Sequence, residues 1–332
     1  MIIDSLSCHL YFLKYIDSMN NLIFTFNVVV PVFLLIFLGF LLKWRKFINE
    51  NFILVSSKVV FNVTVPALVF AKLSTTDFRV TFDLKQIAFV YSGTLVFFAL
   101  TWMFSTFISK NGNDQASFIQ GSIRSNYAIV GFALVSNTFG NQALGKAAIL
   151  LAFIMPLYNV LAIIALTVPP KKEKKIGYKK TIVEIITNPL ILATLIAIPF
   201  SYFQIFVPKF LMVTVDYLAT LTLPLALLGI GGSLKFESIK KDSKLALWAT
   251  LIKIIIIPAT LTYIAVQLGY KQEDLGVLFM LFATPTAIVS FIMAEAMGCN
   301  SELAGNIIVM TTLGSIFTIS IGLFVMRSIG LI

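Results

Sequence analysis

Charge is what this sequence has least of. Only 12% of its 332 residues are Asp, Glu, Lys or Arg, while 58% are apolar. A soluble chain carries about a quarter charged residues to cover its surface, so these apolar side chains cannot be hidden from water and the solvent must be lipid. Histidine is nearly absent: His9 is the only one, which argues against histidine-based catalysis and His-rich metal sites. Two cysteines, Cys8 and Cys299, cannot make a disulfide framework. There is no paired-aspartate motif, no His-Glu-x-x-His and no phosphate loop. An enzyme and a self-powered pump are therefore set aside, and no cofactor or metal is expected.

What the chain has is long apolar runs, near 22–43, 52–73, 86–109, 115–139, 143–168, 182–206, 209–233, 245–268, 275–297 and 303–327. Each suits a membrane-crossing helix, which takes about 20 residues. Polar punctuation separates most of them, and Gly140-Asn141-Gln142 is the turn between the fourth and fifth. The expected fold class is an all-α polytopic membrane protein with ten transmembrane helices. The net charge of +10 reads as loop charge rather than as a nucleic-acid surface. The odd-numbered loops hold fourteen Lys and Arg against six in the even-numbered loops, which places the odd loops in the cytoplasm and both termini outside. The cluster Lys171–Lys180 is then a cytoplasmic linker attracted to anionic lipid. Residues 1–19 read as a leader, outside the native chain or lying as a short interfacial helix, because Met19 directly precedes the first span.

The second span contains Thr64-Val65-Pro66-Ala67-Leu68 and the seventh Thr222-Leu223-Pro224-Leu225-Ala226, an offset of 158. The fourth contains Tyr127-Ala128-Ile129-Val130-Gly131-Phe132 and the ninth Thr286-Ala287-Ile288-Val289-Ser290-Phe291, an offset of 159. Near-equal offsets indicate duplication, with repeats over 20–168 and 182–332 joined by the linker 169–181. Five helices per repeat force opposite orientations, and inverted repeats build sites from broken helices near the midplane. Pro285 lies in Thr284-Pro285-Thr286, and its counterparts in the first repeat are Ser125-Asn126-Tyr127. These six residues form the most polar stretch of either span centre, so the fourth and ninth helices are expected to break and cross there. Freed backbone groups in lipid need protein or water around them, and half-helix N-termini suit an anion.

Several motifs together resemble the auxin efflux carrier family. They are Pro31–Phe40, Val60–Leu68, Asn188-Pro189-Leu190, Leu223–Leu227 with Gly232-Ser233-Leu234, and Ala294-Glu295. The similarity spans 20–330. It implies an inverted-repeat permease for small organic acid anions (malate, malonate or auxin-like), working in the cell membrane by an elevator-like motion. A homodimer is compatible with it. The resemblance assigns Asn126 as the crossover asparagine and Pro285 as the crossover proline. Where many relatives have a proline after that asparagine, this chain has Phe132-Ala133, leaving the break to Gly131 and polar side chains.

Among individual residues, Asn126 offers two donors and an acceptor oxygen without charge. Ser125, Tyr127, Thr284 and Thr286 either contact substrate or cap the breaks. Arg124, roughly 15 Å into the fourth span, either meets the substrate anion or pairs with Glu295; alternatively it snorkels to the surface. Lys58 and Lys253 are expected to snorkel. Asp216 is a coupling candidate or an exposed residue near the outer surface. Asn62 and Thr64 are expected to satisfy backbone groups freed by Pro66, with Pro224 as its repeat counterpart. Two alternatives remain: a sodium-coupled organic anion symporter like the bile-acid class, and a non-transporting sensor with a carrier fold.

Overall fold

The computed structural model describes residues 2–169, 187, 189–234 and 243–332, with side chains from residue 19 onward except at 141 and 243. The basic cluster Lys171–Lys180 and Asn188 lie outside the described residues. Every regular element is helical, and no strand forms among the described residues. In chain order the helices are α1 (Ile2–Trp44), α2 (Glu50–Ser74), α3 (Leu84–Ile108), α4 (Gly112–Ile123), α5 (Tyr127–Gly140), α6 (Gln142–Thr167), α7 (Pro189–Phe203), α8 (Lys209–Ser233), α9 (Lys244–Gln267), α10 (Gln272–Ala283), α11 (Val289–Ala296) and α12 (Ser301–Ser328). Seven of them, counting the Met19–Trp44 part of α1, are long and apolar enough to cross a membrane.

The remaining three apolar runs have a different form. The fourth and ninth are each two short helices, α4 with α5 and α10 with α11, separated by residues 124–126 and 284–288, with Arg124 and Thr284 extended. The sixth is described from Pro189 as the 15-residue α7. Gly140, with φ of 78°, turns the chain from α5 into α6 where the sequence places the turn. A side chain rarely adopts that conformation without strain.

Elsewhere proline lies inside spans without breaking them, and at Pro66 and Pro258 the turn before it changes form. Pro66 lacks the N–H that a helix needs, and the turn before it, Val60–Thr64, widens so that Val65 N–H reaches five residues back to Val60 O. Asn62 Nδ2 donates to Lys58 O at 2.8 Å and Thr64 Oγ1 to Val60 O at 3.5 Å. Both polar side chains thus bond back to carbonyls four residues earlier on their own helix, not to the carbonyl that Pro66 leaves without a donor. Pro258 has the same device in α9, where Ile252–Ile256 widens. Pro224 sits inside a continuous α8, with Thr222 Oγ1 turned back to Leu218 O.

Small residues decide the closest packing. A Cβ on Gly39 of α1 would lie 2.2 Å from Leu228 O of α8, and one on Gly231 would lie 1.7 Å from Ile36 O. The two backbones therefore touch, as small residues allow between membrane helices. α2 packs on α7 and α8, so these helices with α1 form one group. α12 packs on α9, α4 and α11, holding the second group around the two breaks.

Candidate functional site

The breaks meet. Ser125 and Thr286 form an isolated antiparallel bridge. Asn126 N–H donates to Pro285 O at 2.8 Å, and Ala287 N–H donates to Arg124 O at 3.3 Å. Side chains complete the crossing. Ser125 Oγ donates to Leu281 O at 2.6 Å and also pairs with Thr284 Oγ1. Thr286 Oγ1 donates to Gly121 O at 2.6 Å, while Thr286 N–H turns to Thr311 Oγ1 at 3.1 Å. These groups are buried, so water is not their alternative partner. Each break supplies what the other lacks.

The sequence-derived site residues thus divide into two sets. Ser125, Thr284 and Thr286 spend their hydroxyls on the crossing itself. Asn126 does not. It is buried, its backbone holds the crossing, and its side-chain amide makes no hydrogen bond among the described residues. Tyr127 is fully buried with its hydroxyl unpartnered, as are Ser290 Oγ and Gln120 Oε1 on neighbouring segments. Gly131 is not where the break lies. The non-helical residues 124–126 precede it, its own φ is −61°, and it makes room for the Tyr127 ring, which a Cβ there would meet at 2.3 Å.

Arg124 is 5% exposed, so it does not snorkel to the surface. Its guanidinium donates to Asn159 Oδ1 at 2.9 Å and to Met293 Sδ at 3.3 Å. The expected pair with Glu295 does not form: α11 is only eight residues long, and Glu295 near its end is exposed. Arg124 thus has a neutral amide and a weak thioether acceptor, and no carboxylate partner among the described residues. It borders a cavity of about 10 Å³ lined also by Gln120, Tyr158 and Phe98, room for about one water. A wider open groove of about 410 Å³ between the start of α2 and Leu225 has no charged lining residue.

Lys253 departs furthest from expectation. It is 1% exposed, and its Nζ donates to Phe282 O at 2.7 Å. Depth along a span does not tell which side of the helix a residue occupies, and this lysine faces inward onto α10. Lys58, by contrast, is exposed. Asp216 lies on the exposed side of α8.

Paired helix breaks inside a lipid-soluble bundle, with a buried cation and free polar groups beside them, define a membrane transporter rather than an enzyme. Comparison with known proteins agrees. Residues 24–323 match the model of the membrane transport protein family, Mem_trans, and the chain belongs to that family, the one the auxin efflux carrier motifs indicate. It is similar to a protein named "Putative malonate transporter" of Rhizobium meliloti, 26% identical over 312 residues that cover 91% of this chain and 96% of the relative. It is also similar to an uncharacterized transporter of Methanocaldococcus jannaschii, 21% identical over 89% of this chain and 96% of the relative. A third relative, an uncharacterized transporter of Methanothermobacter thermautotrophicus, is 20% identical over 88% and 95% respectively.

Proposed function

We propose that this transporter carries small organic acid anions, with a substrate carboxylate bound at the crossing by Asn126 and Arg124. The observation that carries this reading is Arg124: a buried guanidinium beside the crossing without a carboxylate partner among the described residues. Burying such a charge is costly unless something compensates it, and a carboxylate substrate supplies the missing anion. The unpaired Asn126 amide adds neutral donors at the same place. The cavity beside Arg124 is too small for an organic acid, so binding requires α4, α6 and α11 to part there. A carrier that alternates between two faces provides such a motion. One relative's name, a malonate transporter, fits a substrate of this class.

The architecture in this reading is ten spans in two inverted repeats, 20–168 and 182–332. The antiparallel meeting of Ser125 with Thr286 and the matching offsets of 158 and 159 support it. The loop charge asymmetry supports a cytoplasmic linker with both termini outside. The α1, α2, α7 and α8 group would stay fixed while the group carrying the breaks moves as an elevator.

The test is thermal unfolding of the purified protein in detergent with malonate, malate and indole acetate. A ligand that binds only the folded state raises the melting temperature. A saturable rise with malonate or malate that vanishes in Asn126→Ala is expected. No rise with any of the three acids overturns the anion reading.

A further inference from the structure

Three carbonyls in a row at the end of α10 lose their helical donors. Pro285 has no N–H, so Leu281 O receives Ser125 Oγ instead. Thr286 N–H, which a continued helix would give to Phe282 O, goes to Thr311 Oγ1. Ala287 N–H, which it would give to Ala283 O, goes to Arg124 O. A helix end of this kind carries about half a negative charge. In carriers built from broken helices, such carbonyl ends are where a coupling metal ion is held. Here Phe282 O is occupied by an ammonium group, Lys253 Nζ, at 2.7 Å.

Lys253 is delivered to that position by its own helix. It lies in the widened turn Ile252–Ile256 that accommodates Pro258, and this turn packs on α10 and α12. Such turns recur at functional sites because they re-aim one side chain. The residue is fully buried, and no carboxylate pairs with it among the described residues. Snorkelling is therefore excluded, and a salt bridge does not explain its burial. Its side-chain hydrogen bond goes to Phe282 O, at the carbonyl end of the broken helix.

We propose that Lys253 is a tethered cation that takes the place of a coupling metal ion at the carbonyl end of α10, so that this carrier works without sodium. In this structure its Nζ holds the position facing Phe282 O that a bound metal ion would take. A sodium ion would have to displace it.

The experiment has two arms. In the first, which needs no substrate, thermal unfolding of the purified protein is measured in choline, sodium, potassium and methylammonium chloride at equal ionic strength. The wild type is expected to melt alike in all four. Lys253→Ala, which opens space at the carbonyl end, is expected to melt lower in choline and to recover saturably with methylammonium. Lys253→Met, which fills that space without charge, is expected to melt lower and not to recover. A saturable sodium-specific rise in the wild type overturns the proposal, even where the alanine variant fails to fold. Equal melting of Lys253→Ala in choline and methylammonium also overturns it and leaves Lys253 a packing residue. The second arm rests on the anion-carrier reading: malonate uptake into proteoliposomes is expected to be equal with external sodium or choline, and dependence on sodium overturns the proposal. If no acid is bound or transported, the carrier reading fails while the melting arm still decides on Lys253.

Discussion

Pro66 and Pro258 interrupt α2 and α9, and Pro285 interrupts the ninth span, yet the chain responds in two different ways. At Pro66 and Pro258 the preceding turn widens and the helix goes on. The polar side chains at the Pro66 turn, Asn62 and Thr64, bond to carbonyls of their own helix. At Pro285 the helix stops, and the freed groups find partners on the other break: Asn126, Ser125, Arg124 and Gly121. The first repair is local and holds whatever the neighbours do. The second exists only while two segments 159 residues apart in the chain are held together. A locally repaired span depends on its own helix alone, whereas the crossed pair of breaks ties two distant segments into one unit.

Substitutions can break or sharpen this contrast. The largest effect is expected from Asn126→Ala on transport. Losing a hydrogen bond to a charged ligand costs about 1.5–3 kcal/mol, roughly a 10- to 100-fold loss of affinity. The melting temperature should stay close to wild type, because the amide has no protein partner to lose. A large drop in melting temperature would show that the side chain holds the crossing instead. Next comes Arg124→Gln, expected to weaken binding of every carboxylate ligand in a ligand-melting series, because the buried guanidinium is the cation that meets the substrate anion. Unchanged ligand binding would assign Arg124 to packing.

Thr286→Val removes a bond between the breaks and leaves Gly121 O without that donor. It should destabilise the protein by about 1–2 kcal/mol and impair transport together with stability. The smallest effect belongs to Asn62→Ala. Its amide serves an exposed carbonyl on its own helix, so a change of about half a kcal/mol or less is expected, with uptake unchanged. If Asn62→Ala harmed transport as much as Thr286→Val, the distinction between local and shared repair would be lost.

The crossing could be read from the sequence because proline and polar residues at a span centre are rare enough to register. The offset of 159 then aligned Pro285 with Ser125-Asn126-Tyr127. Asn62 and Thr64 registered as polar residues beside Pro66 for the same reason, but they bond back to Lys58 O and Val60 O rather than to the carbonyl that Pro66 frees. Direction around a helix was not legible. Lys58 and Lys253 sit at comparable depths in their spans, and one is exposed while the other is buried against Phe282. Apolar residues surround both helices, so no hydrophobic stripe marks an inner face. Glu295 misled for a related reason. Closeness in depth suggested a partner for Arg124, but α11 ends so soon that the carboxylate emerges on the surface. Cavities next to a crossing depend on side-chain packing, which one-dimensional pattern does not carry.

The contact between Gly39 and Leu228, with Gly231 against Ile36, has a consequence for biosynthesis. α1 is made early, but its closest partner follows about 190 residues later, roughly 10–40 s at 5–20 residues per second. Until α8 emerges, the glycine notch on α1 has lipid or a transient neighbour against it. A bulkier residue at Gly39 or Gly231 would thus do its damage late in synthesis, after much of the chain is already in the membrane. The expected sign is a protein that inserts at normal levels and is then degraded before it finishes assembling.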